Sequence, residues 1–229
     1  MARQLSFDLP AKTALGREDF FVSPANALAV AMISASSWPG KKMVLSGPAG
    51  SGKTHLAHVW AGETGGRIVQ AAALGHEDVP DLARGPVAVE DVPDIAGDME
   101  QQKTLFHLHN LVLAEGKALL MTGRLTPNLW HLPLADLQSR IEGAHHVALE
   151  PPDDALLCAV LAKLFVDRQL NPRPEVIPYL VKHMDRRFAT AAEVVRRLDR
   201  VALAEKREIT RALAIRVLND DADAARAGN

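Results

Sequence analysis

Apolar residues follow two alternating rhythms over the first two thirds of the chain. Short apolar runs at Met43-Val44-Leu45, Arg67 to Gln70, Pro86 to Asp91, Ala118 to Thr122 and His146 to Leu149 have the length and composition of buried strands. Between them lie helical patterns. The segment after Ser23-Pro24 reads as a helix running to about Ser36, with Ser23 as its cap and Pro24 at its first position, and Trp38-Pro39-Gly40 ends it. His55 to Ala61 is a second helix. Met99 to Glu115 is a third, with Leu105, Leu108, Leu111 and Val112 on one side and Gly116 as its stop; Leu134 to Arg140 is a short fourth. Strands that alternate with helices predict an α/β fold, a parallel five-stranded sheet sandwiched by helices, with ligands at the carboxyl ends of the strands.

At Pro151-Pro152 the rhythm changes. Asp153-Asp154 caps a helix with Leu156, Leu157, Val160, Leu161, Leu164 and Phe165 on its apolar face, and helical segments follow near 174–184, 189–206 and 210–218 with no strand pattern among them. This predicts a small all-helical domain over 151–221 beside an α/β domain over 15–150. Residues 1–14 form an N-terminal peptide and connector, and 222–229, rich in Ala and Asp, read as a frayed tail.

Composition adds boundaries rather than chemistry. The 229 residues carry a formal net charge of −2, so the whole chain has no general attraction to nucleic acid or anionic lipid, and such binding would need a local patch. One candidate patch is Arg186-Arg187, Arg196-Arg197, Arg200, Lys206, Arg207 and Arg211 in the helical region. The single cysteine, Cys158, has apolar neighbours and reads as a core residue. No leader or long apolar run predicts export or a membrane span, which leaves the cytoplasm as the expected location. His55, His58, His107, His109, His145 and His146 lack companions at metal-ligand spacing, so no zinc site is expected.

The chemistry centres on Gly47-Pro48-Ala49-Gly50-Ser51-Gly52-Lys53-Thr54. This stretch fits G-x-x-x-x-G-K-[ST], with a strand before it and a helix opening at His55 after it. Its glycines let successive N–H groups point at an anion, Lys53 reaches outer phosphates, and Thr54 offers a hydroxyl to Mg²⁺. The strand ending in Glu90-Asp91 would bring an acidic pair beside that loop, able to hold Mg²⁺ and to polarise a water. Gln4, Leu5, Ser6, Phe7, Asp8 and Leu9 alternate apolar and polar, which suits either an edge strand or a peptide captured in a groove on another protein.

Together these features outline the AAA+ class of P-loop NTPases, a base domain with a helical lid. Phe20 to Asn26 resembles the motif of the bacterial initiator DnaA that lies against adenine, which implies nucleotide contacts for Phe21 and Val22. Thr122-Gly123-Arg124-Leu125-Thr126-Pro127 resembles the initiator's fourth-strand motif, and Leu137-Gln138-Ser139-Arg140 with Glu150-Pro151-Pro152 resembles the stretch leading into its lid. Gln4 to Leu9 looks like a sliding-clamp-binding motif. With Ile95 to Asp98 and Leu198-Asp199-Arg200, the whole is similar to the Hda group, DnaA-related proteins without the initiator's helix-turn-helix domain that act with the DNA-loaded clamp to make the initiator hydrolyse its ATP.

That resemblance implies ADP or ATP with Mg²⁺ as cofactors, Thr54, Glu90 and Asp91 at the metal, and Arg140 as an arginine finger acting in trans. The implied partners are the clamp and DnaA, with DNA met mainly through the clamp, and a homo-oligomer is possible. Departures are visible. Glu90 replaces the usual Asp, Arg124 stands where the initiator has an acid, and Ala189 stands where an Arg normally touches the nucleotide. Weak intrinsic hydrolysis and a structural role for the nucleotide, ADP above all, are therefore expected. An autonomous P-loop ATPase or kinase, and a helicase-loader-like adaptor that binds DNA through the basic lid, remain as alternatives.

Overall fold

A computed structural model describes residues 21–35 and 37–227, with side chains described as far as Asp220. Gln4 to Leu9, the rest of the connector and Phe20 lie outside the described residues. Five strands form one parallel sheet: β1 (Lys42–Ser46), β2 (Arg67–Gln70), β3 (Val87–Glu90), β4 (Leu119–Gly123) and β5 (His145–Ala148), in the order β2-β3-β4-β1-β5. The helices α1 (Ala27–Ile33), α2 (Lys53–Thr64), α3 (Val79–Leu82), α4 (Met99–Ala114) and α5 (Ala135–Glu142) connect and flank the strands.

Alternation along the strands builds a core on each face. Val44, Val87, Val89, Leu119 and Met121 turn to one side, where Leu105, Leu108 and Val112 of α4 and Leu137 and Ile141 of α5 cover them. Met43, Leu45, Ala88 and Leu120 turn to the other and meet Ala29 and Ile33 of α1 and Leu56 and Trp60 of α2. Trp60 stacks on Trp38 with ring centroids 5.4 Å apart. Coverage on both faces explains why these strands are unbroken apolar runs.

Helices α6 (Asp154–Asp167), α7 (Val176–His183), α8 (Phe188–Glu205) and α9 (Arg211–Ala227) gather a third core from Leu157, Leu161, Phe165, Leu180, Val194, Leu198 and Leu213. Asp153 caps α6 as its spacing predicts, its carboxylate accepting from the Leu156 N–H at 2.8 Å. Cys158 is half-buried against this core rather than inside it. Helix α9 runs on to Ala227, over most of the stretch whose composition suggested fraying; its alanines have high helix propensity. Among the described residues no helix is long and apolar enough to cross a membrane.

Helix α1 begins later than Ser23-Pro24 suggests, at Ala27. The cause is Asn26, buried just before it. Its side-chain oxygen accepts from the Ser23 N–H at 2.8 Å and its amide donates to the Phe21 carbonyl at 2.9 Å, so the chain is held in turns up to Asn26.

One buried polar residue ties three elements together. Gln102 of α4 is fully buried, donates to the carbonyls of Ile95 and Ala96 at 3.0 Å each, and accepts from the Leu134 N–H at 3.0 Å. It thereby links the loop after β3 to the segment that opens α5. Gln102→Leu fills the same space but leaves those backbone groups unpaired, so urea melts should show a loss of about 2–3 kcal/mol in unfolding free energy.

Candidate functional site

The phosphate loop leaves the end of β1 and closes at the start of α2. Its anchor is double: the Gly47 N–H donates to the Gly123 carbonyl of β4 at 3.2 Å, and the Leu149 N–H, just past β5, donates to the Ser46 carbonyl at 2.7 Å. Gly47 is pinned so tightly that a Cβ there would lie 2.7 Å from the Leu149 carbonyl oxygen and 2.7 Å from Ser51 Oγ. Lys53 is almost wholly buried and donates to the carbonyls of Gly47 at 2.7 Å and Pro48 at 3.0 Å. Burial pushes its ammonium below the ordinary lysine range, Asp91 pulls it back, Arg124 adds to the depression, and Glu90 opposes it again. An anion entering the loop would take over this charge from the two carbonyls. Thr54 is exposed at the start of α2 and His55 is half-buried behind it.

The acidic pair stands two strands away from β1, at the end of β3. Glu90 is 2 % exposed; one carboxylate oxygen accepts from Gln70 Nε2 at 3.0 Å, while Oε1 is buried without a hydrogen-bond partner. A buried carboxylate oxygen left unpaired is costly, and a cation would satisfy it. The unpaired Oε1 of Glu90 is the one observation at this acid that a bound cation would explain. Asp91 lies in the left-handed region with φ 52°, a strained conformation for a non-glycine residue, held by its N–H donating to Thr122 Oγ1 at 3.1 Å. The turn aims the second acid away from the strand, where its charge reaches Lys53.

Beyond Asp91 opens a cavity of about 320 Å³ lined by Asp91, Pro93, Asp94, Arg124, Leu129 and Trp130. Arg124 therefore faces the acids and Lys53 together. Phe21 and Val22 are exposed, 38 % and 61 %, on the turns that Asn26 fixes.

The lid meets the loop directly. The Phe188 N–H donates to the Gly50 carbonyl at 3.3 Å, and a Cβ on Gly50, where φ is +77°, would lie 2.8 Å from Arg187 Cβ. The Phe188 ring covers Gly52. Ala189 is exposed in the first turn of α8.

Arg140 belongs to the opposite end of the sheet. It sits in the last turn of α5, and its carbonyl accepts from Lys42 Nζ at 2.6 Å. Lys42 is the first residue of β1 and the loop follows the last, so the length of the strand, about 13 Å, separates them. Arg140 is exposed, and its guanidinium carbon lies 5.1 Å from the centroid of the Phe106 ring. The chain's own phosphate loop is out of its reach.

Several contributors escape sequence reading: Gln70 behind Glu90, Asn26 behind Phe21, and Arg187 and Phe188 on the loop. Gln70 and Glu90 close neighbouring strands in register, a pairing the sequence does not show. In the basic lid, Arg186 pairs with Asp154, Arg196 with Glu193, and Arg207 and Arg216 with Glu205. Much of that charge is neutralised locally.

Residues 154–218 match the family model described as Hda, lid domain. The whole chain is similar in structure to domain III of the replication initiation protein DnaA from Thermotoga maritima, with TM-score 0.78, 18% identity, and coverage of 93% of this chain and 98% of that one. A DnaA bound to AMPPCP and single-stranded DNA matches with TM-score 0.68 and 20% identity over 88% of this chain and 70% of that one. AMPPCP-bound DnaA from Aquifex aeolicus gives 0.65 and 21% over 79% and 63%. The fold is that of the DnaA AAA+ domains, and residues 154–218 match the lid domain of Hda.

Two glycine substitutions separate the loop's contacts from helix propensity. Gly50→Val drives side-chain atoms into Arg187 and should lower folding stability by about 1–3 kcal/mol; titration with a fluorescent adenine nucleotide should show weakened binding. Gly62→Ala in α2 meets no atom within 4 Å and should leave that titration unchanged.

Proposed function

We infer that a chain joining the DnaA-type AAA+ fold to an Hda-family lid is a regulator of chromosome replication initiation, working in the cytoplasm through a partner's nucleotide rather than its own. The observation that carries this is the position of Arg140: exposed, with no ion pair among the described residues, and at the end of the sheet remote from its own phosphate loop. A guanidinium so placed is out of reach of its own loop and available to a phosphate of another molecule. Given the relationship to DnaA, that molecule is the ATP-bound initiator. Arg140 would stabilise charge developing on the transferring phosphoryl group.

The phosphate loop from Gly47 to Thr54 then binds ADP or ATP for a structural purpose, with Phe21, Val22 and His55 beside the rest of the nucleotide. Thr54 and Glu90 would hold Mg²⁺, which neutralises phosphate charge, with Asp91 facing the attacking-water position. The AMPPCP-bound relatives support nucleotide binding by this fold. Arg124 faces the acids, and Ala189 offers the nucleotide no charge, which supports slow hydrolysis in cis. Because Phe188 and Arg187 rest on Gly50, an occupied loop fixes the lid against the sheet. Gln4 to Leu9 would tether the chain to the sliding clamp, so that DNA is met through the clamp.

Two variants test the two surfaces apart. With DNA-loaded clamp and ATP-bound initiator, Arg140→Ala should lose stimulated hydrolysis on the order of 10³-fold while keeping clamp binding. Replacing Gln4, Leu5 and Phe7 by Ala should abolish capture by the clamp and leave nucleotide affinity unchanged. An Arg140→Ala protein that stimulates like wild type sinks the finger assignment; substantial phosphate release by the purified chain alone sinks the regulatory reading.

A further inference from the structure

We propose that Phe106 and Lys42 are positioning residues for Arg140: the Phe106 ring carries the guanidinium, and the Lys42 ammonium holds the carbonyl behind it, so that the charge waits at the surface without a carboxylate partner. This rests on the reading of Arg140 as the group offered to a partner's phosphate.

The geometry of α5 shows why the arrangement is not the default one. Leu137 and Ile141 are buried and anchor the helix on α4, and Arg140 flanks that stripe. Asp136 stands four residues before Arg140, a spacing at which carboxylate and guanidinium pair readily on a helix. Yet no ion pair involves Arg140 among the described residues, and its guanidinium lies instead over Phe106 of α4 at 5.1 Å. The difference matters chemically. A carboxylate would occupy the N–H fork and have to be expelled before a phosphate could enter, whereas a ring face attracts the charge and leaves the donors free.

Lys42 acts from behind. Its amine bonds the Arg140 carbonyl at 2.6 Å, in the last turn of a helix whose carbonyls lack intrahelical donors. The two cations repel, and the lysine anchored on the Arg140 carbonyl leaves the guanidinium on the ring side of the helix. Burial, and then the charge of Arg140, hold the Lys42 amine below its ordinary range, in keeping with that proximity. His109, buried one turn along α4 from Phe106, adds no third charge: burial pushes its pKa below the usual histidine range, and Lys42 and Arg140 push the same way against a bond to Asn110.

The test uses the full chain with DNA-loaded clamp and ATP-bound initiator, measuring initiator ATP hydrolysis at saturating protein. Phe106→Leu should lower the rate roughly two- to five-fold, the worth of an exposed cation–ring contact, with the half-saturating concentration unchanged, and Phe106→Tyr should restore it. Phenylalanines bearing one, two and three ring fluorines at position 106 keep the shape while weakening the ring face, so the rate should fall stepwise. Lys42→Met should lower the rate and Lys42→Arg should recover it. Nucleotide affinity, read on each variant, should stay at the wild-type value. A rate that is flat across the fluorinated series while Arg140→Ala is inactive overturns the positioning role alone. Wild-type stimulation by Arg140→Ala overturns the reading on which it rests.

Discussion

The pairing of β1 between β4 and β5 is the constraint on which the rest of this molecule depends. A parallel strand locked on both sides has two chemically distinct ends that cannot move relative to one another. At the carboxyl end, Gly47 is bonded to Gly123 of β4, and Ser46 to Leu149 beyond β5, so the phosphate loop inherits the rigidity of three strands. At the amino end, Lys42 reaches out of the same strand to the carbonyl of Arg140. The loop lysine and the exposed Arg140 are therefore tied to one rod, at opposite tips.

The second organising contact is the seam between loop and lid. Gly50 accepts from the first N–H of α8 and is covered by the flank of Arg187, while Phe188 lies on Gly52. The helical unit has its own core around Leu161, Leu198 and Leu213. Its placement depends on a patch of backbone that also cradles phosphate. On the proposed reading, a nucleotide in the loop would therefore bear on how the lid is seated.

Legibility in the sequence follows distance along the chain. The loop, the acidic strand end, the five strands and the four lid helices were readable because each is specified by residues within a few positions of one another. The start of α1 was misread because Asn26 competes for the backbone that Ser23-Pro24 would otherwise open as a helix. Contacts that join distant segments left no local mark: Gln70 to Glu90 across 20 residues, Gln102 to Leu134 across 32, and Lys42 to Arg140 across 98. Arg140 was singled out by the resemblance of Leu137 to Arg140 to the DnaA stretch. Its support by an aromatic ring could not be read there, because that required knowing how α4 and α5 pack.

The departures from the DnaA pattern make physical sense when taken together. Glu90 is one methylene longer than the usual Asp, and the structure takes up the extra length by tying one oxygen to Gln70 and leaving the other facing the site. The acid thus keeps one oxygen tied to Gln70 and one without a hydrogen-bond partner. Arg124 adds positive charge close to Lys53, where the two acids already balance one cation. Such a site favours retention of bound phosphate over its departure, since an added cation stabilises the polyanion in its ground state as well as in the transition state. Uniform stabilisation of that kind strengthens binding without speeding chemistry. On the proposed reading, the substitutions that would slow hydrolysis are the same ones that would suit a protein whose nucleotide keeps its lid seated.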